Sequence, residues 1–319
     1  MTKIKVLAND GMDAQCKVTL EQNVFEIEMQ NVPQANLAQA INDNNYEVIS
    51  VRSASTVRKE LIDACPNLKV IVRGGVGMDN IDVEYARSKG LTVYNTPASS
   101  SHSVAELVFA HLFGMVRFVY QSNRDMPVNG DKEFGKLKKK YAAGRELKGK
   151  TIGIIGIGRI GQDVAKIALG CGMKVIAHDA FVPDVNLELD IDGINPKPVI
   201  TIKTISLDEL LMQSDFISVH VPGGNVIGAA EIAKMKPGVC IVNTARGGVI
   251  DEMELLKALD AKHITHAALD VFENEPTPKS ELLHHPNISL TPHIGASTKE
   301  AQERIGDEIA QLIIAHFKK

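Results

Sequence analysis

The stretch from Thr151 to Asp179 constrains the fold of this chain more than any other. It opens with a short, apolar, β-branched run (residues 151–155) that is typical of a buried strand. The glycine pattern GIGRIG (residues 156–161) follows, then a run with helical spacing, and then a second apolar strand that ends on Asp179. This order of strand, glycines, helix, strand and acid predicts a dinucleotide-binding βαβ unit.

Each residue of this fingerprint has a physical reason. Gly156 permits a tight turn, Gly158 lets the backbone approach a pyrophosphate, and Gly161 lets the helix pack closely on the strand. Asp179, 18 residues after Gly161, can accept hydrogen bonds from a ribose diol. No Arg or Lys directly follows Asp179, so a 2′-phosphate would meet a carboxylate without a counter-charge. The sequence therefore favours NAD over NADP.

Length and composition exclude several classes of protein. The chain has 319 residues, enough for two domains, and a formal net charge of −4. The basic run at residues 132–140 is typical of a solvated surface, and no nucleic-acid partner is expected. Four widely spaced cysteines predict neither a zinc site nor disulfides. Without a signal peptide or a membrane-spanning run, we expect a cytoplasmic protein with no membrane partner.

Residues 3–97 repeat a strand-then-helix pattern, which predicts a mostly parallel sheet covered on both faces. This region carries no fingerprint glycine loop, so we expect a flavodoxin-like layer rather than a second dinucleotide-binding domain. The predicted strands are Ile4–Ala8, Phe25–Met29, Val48–Val51, Val70–Val72 and Leu91–Tyr94.

With the later part of the chain included, the alternation of strands and helices predicts two doubly wound α/β domains. A long helix from Ser101 to about Ser122 would lead into the second domain, and residues 132–148 would form a surface connection. Residues 181–204 are predicted to be an extended excursion. A C-terminal helix would return to the first domain, which makes residues 1–98 plus 296–319 the substrate-binding domain and residues 99–295 the NAD-binding Rossmann domain.

Polar clusters follow the strands of the second domain, and ligands of open parallel sheets bind beyond the carboxyl ends of strands. Arg246, beside two glycines, suits a bidentate contact with a carboxylate, although a salt bridge to a loop would also explain it. His293, near Glu275, suits proton exchange with a hydroxyl group, although most histidines are structural. Together with a nicotinamide, these residue types meet the requirements of 2-hydroxy acid oxidation.

The motifs GIIGIGRIG, NTARGGVID, ALDVFENEP and TPHIGAST, in this order, resemble the D-isomer-specific 2-hydroxyacid dehydrogenase family. The likeness covers nearly the whole chain and includes VRGGVGMDNID (residues 72–82). It implies two similar α/β domains with an active-site cleft between them, and a homodimer built through the nucleotide domain. It also implies a catalytic set in which His293 is the acid/base, Glu275 is its partner, and Arg246 binds the substrate carboxylate and polarises the carbonyl.

The resemblance further implies which residues contact the cofactor and the substrate. The nicotinamide half would be lined by Val76, Val221, Thr244, Ala245, Arg246, Asp270, His293, Gly295 and Ala296. The other half would be bound by Gly156, Gly158, Arg159, Ile160, Gly161 and Asp179. The substrate would contact Arg52, Ser53, Arg73, Gly74, Gly75, Asn95, Arg246 and His293.

Within the family, VRSAS (residues 51–55) and HIGASTKEAQERIG resemble the phosphoglycerate dehydrogenase branch, which implies oxidation of 3-phospho-D-glycerate in L-serine biosynthesis. Arg52 and Arg73 each follow a strand of the first domain and could bind a phosphate, or they could be ordinary strand-end arginines. Two alternatives remain: a glyoxylate or hydroxypyruvate reductase, and a dinucleotide-sensing scaffold without enzymatic activity. The loop after Val221 is shorter than is usual in the family, and no C-terminal regulatory domain, and hence no serine feedback, is expected.

Overall fold

A computed structural model describes residues 3–318 of the chain. By its internal contacts the chain divides into two compact units. The first unit comprises the described residues up to Ser101 together with those from Ala296 onward, and the second comprises His102–Gly295. Each unit contains one parallel β-sheet with its own buried apolar core.

The first unit is built on a five-stranded parallel sheet in the order β2-β1-β3-β4-β5. This is the flavodoxin-like order, as predicted. The inner strands β1, β3 and β4 form from apolar runs and are buried on both faces, whereas buried and exposed residues alternate at the start of the edge strand β2. The bounds are β1 Ile4–Ala8, β2 Phe25–Met29, β3 Val48–Val51, β4 Val70–Arg73 and β5 Thr92–Asn95.

Helices cover both faces of this sheet. One face packs against α1 and the C-terminal helix α12, through apolar side chains such as Ile305 and Ile309. Thr298 caps α12 by accepting a hydrogen bond from the Ala301 amide. The helices are α1 Ala14–Glu21, α2 Leu37–Asn44 after a 3₁₀ turn at Gln34–Asn36, α3 Lys59–Ala64, α4 Val83–Ser88 and α12 Lys299–Phe317.

The second unit is built on a six-stranded parallel sheet in the order β13-β12-β11-β10-β6-β7. The strand β7 lies on one side of β6 and β10 lies on the other, so the direction in which successive strands are added to the sheet reverses at β6. Doubly wound sheets bind nucleotides at such a point. The bounds are β6 Thr151–Ile155, β7 Lys174–His178, β10 Phe216–Val219, β11 Val239–Asn243, β12 Ile264–Leu269 and β13 Ile288–Leu290.

The helices of the second unit complete two apolar layers, one on each face of the sheet. The largely buried α5 packs on one face with α7, and α8 to α10 pack on the other. The bounds are α5 Ser101–Val116, α6 Val119–Lys140, α7 Arg159–Gly170, α8 Leu207–Gln213, α9 Ala229–Lys234, α10 Glu252–Asp260 and α11 Ser280–His284.

Two sequence-based expectations about local structure are wrong. Residues 181–204 do not form an extended excursion but an antiparallel pair, β8 Asp184–Glu188 with β9 Val199–Lys203. The helix predicted to end near Ser122 stops at Val116, and a second helix, α6, continues to Lys140 through much of the predicted surface connection. Phe118, with φ of 54°, separates the two helices.

Among residues 3–318, no single helix has the length and apolar composition needed to cross a membrane. The pair α5 and α6 reaches that length only jointly, with a 56° bend at the break.

Candidate active site at the carboxyl ends of the strands

The turn between β6 and α7 carries the glycine fingerprint. Gly156 has a φ of 90°, and a Cβ there would lie 2.6 Å from the carbonyl oxygen of His220. A Cβ on Gly161 would lie 2.2 Å from the oxygen of Gly156, so both positions exclude a side chain. A Cβ on Gly158 would meet nothing within 4 Å, and no side chain caps the helix that begins at Arg159. The open face and the uncapped N–H groups fit the pyrophosphate of a dinucleotide.

Asp179 lies at the end of β7 and ties the glycine turn to this strand. Its Oδ2 accepts a hydrogen bond from the Ile157 amide at 3.0 Å. Its Oδ1 accepts from the amides of Phe181 at 2.9 Å and Val182 at 3.2 Å. A carboxylate offers about four acceptor positions, so a ribose hydroxyl can still bind. Asp179 therefore holds the glycine turn in place, a structural role that the sequence did not predict. This role is compatible with the ribose binding that the sequence predicts.

The turn after β11 holds Arg246. The Asn243 side chain spans this turn, because its Oδ1 accepts from the Ala245 amide at 3.0 Å and its Nδ2 donates to the Arg246 carbonyl at 2.9 Å. The Arg246 guanidinium donates to the Ala245 carbonyl at 2.6 Å. A Cβ on Gly247 would lie 1.9 Å from the carbonyl oxygen of Phe272. The backbone of the turn after β11 is therefore in direct contact with the backbone of the segment after β12.

Glu275 and His293 form a hydrogen-bonded pair. The His293 Nδ1 lies 2.8 Å from Glu275 Oε2, and Glu275 Oε1 accepts from the Phe272 amide at 3.0 Å. Both side chains are exposed at the sheet edge. A carboxylate that accepts from Nδ1–H fixes the tautomer and leaves Nε2 to exchange a proton. The structure thus brings together two of the three predicted catalytic side chains in a geometry suited to acid–base chemistry.

Asp270 binds the segment that carries His293. This carboxylate is 1% exposed, and it accepts from Thr291 Oγ1 at 2.6 Å, from the Ile294 amide at 2.8 Å and from the Gly295 amide at 2.9 Å. His293 itself has a φ of 55°, a conformation that is uncommon outside glycine. The three hydrogen bonds flank His293 and hold its backbone in this conformation.

A buried ion-pair network anchors the segment that carries Glu275. Glu252, 3% exposed, accepts from the Glu273 amide at 2.7 Å through Oε1 and pairs with Lys279 Nζ at 2.9 Å through Oε2. Lys279 also pairs closely with the Glu273 carboxylate. These hydrogen bonds, with Glu273 the larger contributor, raise the pKa of Lys279. This network could not be predicted from local sequence patterns, because its members are separated by up to 27 residues.

In the first unit, the predicted substrate residues follow three neighbouring strands. In the sheet register Val51, which precedes Arg52, pairs with Arg73, and Arg73 pairs with Asn95. Asn95 Nδ2 donates to the Val76 carbonyl at 2.7 Å. A Cβ on Gly75 would lie 1.6 Å from Arg73 Nη1, so the glycine makes room for the guanidinium.

The loop that carries Arg52 is held by polar side chains that the sequence did not single out. Asp10 Oδ2 accepts from the amides of Arg52 at 2.6 Å and Ser55 at 3.0 Å. Asn80 Nδ2 donates to the carbonyls of the same two residues. Arg52 also lines a pocket of about 510 Å³ in this unit, together with Lys299 in the first turn of α12. The other lining residues are Asp13, Ser297, Thr298, Gln302 and Glu303.

The remaining predicted site residues are divided between the units. Val221 follows β10 and is half-buried against the core, and Thr244 is buried with an Oγ1 that makes no hydrogen bond among the described residues. Ile160 is half-buried and Arg159 is exposed in the first turn of α7. In the first unit, Ser53 and Val76 are exposed, Gly74 is buried and Ala296 is half-buried.

Comparisons with known proteins point to one family. The family described as "D-isomer specific 2-hydroxyacid dehydrogenase, NAD binding domain" matches residues 109–295. A hydroxypyruvate reductase of Thermotoga maritima is 41% identical over 98% of both chains. A D-3-phosphoglycerate dehydrogenase of Archaeoglobus fulgidus is 39% identical over 98% of this chain and 57% of its own, so this chain spans little more than half of that relative. The crystal structure of a glyoxylate reductase from Paecilomyes thermophila superposes with a TM-score of 0.82, at 29% identity over 100% and 97% of the two chains.

The open face of Gly158 makes a testable prediction about NAD binding. Gly158→Ala adds a methyl group where the apoprotein has space and a pyrophosphate would lie. We expect the Kd for NADH to rise at least tenfold while the guanidinium unfolding midpoint stays unchanged. Nicotinamide fluorescence measures the Kd without background from tryptophan, since the chain contains none.

Gly114→Ala in α5 is the matched control, because a Cβ there also meets nothing within 4 Å. It should leave the Kd for NADH unchanged. If Gly158→Ala bound NADH as tightly as wild type, the pyrophosphate could not lie against Gly158.

Proposed function

Because the chain belongs to the D-isomer-specific 2-hydroxyacid dehydrogenase family, and so is an NAD-dependent oxidoreductase of small hydroxy acids, we propose that its substrate is 3-phospho-D-glycerate. The product is 3-phosphohydroxypyruvate, and the reaction is the first step of phosphorylated L-serine biosynthesis. The observation that carries this proposal is the pair of arginines, Arg52 and Arg73, at the ends of adjacent strands of the first unit.

The proposed roles in the second unit combine the resemblance to the family with the side-chain geometry of the Glu275–His293 pair. Arg246 binds the substrate carboxylate and polarises the C2 oxygen. His293 Nε2 takes the proton of the C2 hydroxyl, while Glu275 holds Nδ1 and stabilises the imidazolium. NAD, when bound, accepts the hydride that leaves C2. In the reverse direction His293 returns the proton to the oxygen.

The phosphate assignment rests on charge in the first unit. Arg52 and Lys299 both line the pocket at the first turn of α12, and Arg73 follows the neighbouring strand. Cationic donors at these positions suit a dianionic phosphate. Asp13 and Glu303 line the same pocket, and Asp13 caps α1 by accepting from the Gln15 amide.

Hydroxypyruvate reduction is the second candidate. The hydroxypyruvate reductase of Thermotoga maritima aligns with this chain over 98% of both sequences. The two carboxylates in the pocket, Asp13 and Glu303, also balance the positive charges of Arg52 and Lys299. Hydroxypyruvate has the same three-carbon skeleton without the phosphate, so Arg52 distinguishes the two functions.

The decisive experiment is a substrate panel with NADH. Wild-type protein should reduce 3-phosphohydroxypyruvate with a higher kcat/KM than hydroxypyruvate or glyoxylate. Arg52→Ala should lower kcat/KM for the phosphorylated substrate by about 100-fold, in line with loss of a charge-assisted contact worth about 2–3 kcal/mol. It should change kcat/KM for hydroxypyruvate less than about threefold, since that substrate lacks the phosphate.

Arg87→Ala is the control, because Arg87 lies in the last turn of α4 and pairs with Glu84 at 3.3 Å. It should leave all three activities unchanged. A higher kcat/KM for hydroxypyruvate, with Arg52→Ala close to wild type, would establish the second candidate instead.

We also propose a homodimer formed through the second unit. Apolar side chains of α5 and α6 face solvent, including Phe113, Val128 and Phe134, and Val128 is 69% exposed. Apolar patches of this kind on a folded unit mark association surfaces. The resemblance to the family favours a second copy of the same chain as the partner.

Light scattering after gel filtration tests the dimer. The wild-type protein should elute at twice the 34.6 kDa mass of the chain, and the double variant Val128→Asp/Phe134→Asp should elute as a monomer. Val199→Asp, at an exposed position of β9, is the control and should stay dimeric. A wild-type monomer at micromolar concentration would refute the proposal.

A further inference from the structure

A buried histidine of α5 is connected to the Asp270 carboxylate. His111 is 5% exposed; its Nδ1 lies 2.8 Å from Ser289 Oγ and its Nε2 lies 3.1 Å from Thr291 Oγ1. Thr291 Oγ1 in turn lies 2.6 Å from Asp270 Oδ1. The four side chains form one hydrogen-bonded chain within the second unit.

Donor and acceptor counting assigns the direction of each bond. An ionised carboxylate only accepts, so Thr291 gives its single hydroxyl proton to Asp270. The threonine oxygen must then accept from His111, which puts a proton on Nε2. In a neutral ring Nδ1 is the acceptor, so Ser289 donates to it. Each hydrogen bond in this series is therefore donated in the direction from Ser289 towards Asp270.

The neutral ring is the form that completes this pattern. Burial is the main cause that lowers the pKa of His111, and the Asp270 charge opposes it more weakly. A protonated ring would present a second donor to Ser289 and reverse that bond. Both ring nitrogens of the neutral form are paired, so the histidine can lie among apolar neighbours such as Leu112 without an unsatisfied polar atom.

Asp270, at the end of this hydrogen-bonded series of side chains, holds residues on both sides of His293. Asp270 accepts from Thr291, Ile294 and Gly295, and the backbone between them carries the left-handed φ of His293. If the threonine turns away, Asp270 loses one of its three donors. The carboxylate and the amides beyond His293 are then free to shift.

We propose that His111 is a positioning residue for the acid/base, acting through Thr291 and Asp270 to hold the segment 291–295. Its ring touches neither substrate nor cofactor in this account. The proposal rests on the proposed role of His293 but does not depend on which 2-oxo acid is the substrate. It predicts a larger effect on turnover than on dinucleotide affinity, because the glycine turn and Asp179, which would bind the pyrophosphate and the adenosine ribose, follow other strands.

The test compares His111→Leu with His111→Gln, using the 2-oxo acid that the wild type reduces fastest. Leucine removes both hydrogen bonds, whereas the glutamine amide restores one donor and one acceptor. For His111→Leu we expect kcat to fall at least tenfold, with the Kd for NADH within threefold of wild type, since small displacements of a catalytic group are costly. For His111→Gln we expect kcat within threefold of wild type.

Two further variants complete the design. Thr291→Val should reproduce the loss of kcat seen with His111→Leu, and the double variant should lose little more. His284→Leu, at an exposed histidine of α11, is the control and should match wild type.

The proposal is overturned if His111→Leu keeps kcat within threefold of wild type. It is also overturned if leucine and glutamine lower kcat and the unfolding midpoint equally, because that result indicates packing alone. A wrong substrate assignment would appear only in the substrate panel. A wrong role for His293 would appear in substitutions of His293 itself.

Discussion

The buried carboxylate of Asp270 accepts three hydrogen bonds, and these fix the candidate active site at the carboxyl ends of the strands. Asp270 lies in the turn after β12, and its three donors come from the segment after β13. The backbone of Gly247, after β11, rests directly on Phe272 in the same turn. Three neighbouring strand ends are therefore joined by contacts that tolerate little displacement. Loops at a sheet edge are usually mobile, but the acid–base role proposed for His293 requires loops with fixed positions.

Much of this arrangement could be predicted from the sequence, because its signals are local. β-Branched runs indicated the parallel strands, and the glycines of residues 156–161 indicated the turn that a dinucleotide requires. The alternation of strand and helix indicated parallel strands, and because the carboxyl ends of parallel strands share one edge of a sheet, it predicted that Arg246, Glu275 and His293 lie at the same edge. The pairing of Glu275 with His293 could be suggested only by residue type, since 18 residues separate the two.

What could not be predicted depends on contacts between distant residues. The strands β8 and β9 pair with each other in an antiparallel ladder, and the Pro- and Asp-rich segment around them did not indicate this pairing. The helix α6 runs past Pro127 but is kinked at Glu133, whose backbone is not helical, so the local preference for a break bends this segment without ending the helix. His111 looked like one more residue on an apolar helix face, because its partners lie 178 and 180 residues further along.

The central claim is that His293, held by Glu275 and Asp270, exchanges the proton of the substrate hydroxyl. The most direct test is the kcat of His293→Gln with the best 2-oxo acid, measured beside its Kd for NADH. General acid–base catalysis contributes about 10²–10⁴-fold, so kcat should fall by at least about 100-fold while the Kd stays within threefold of wild type. A kcat within tenfold of wild type would contradict the account.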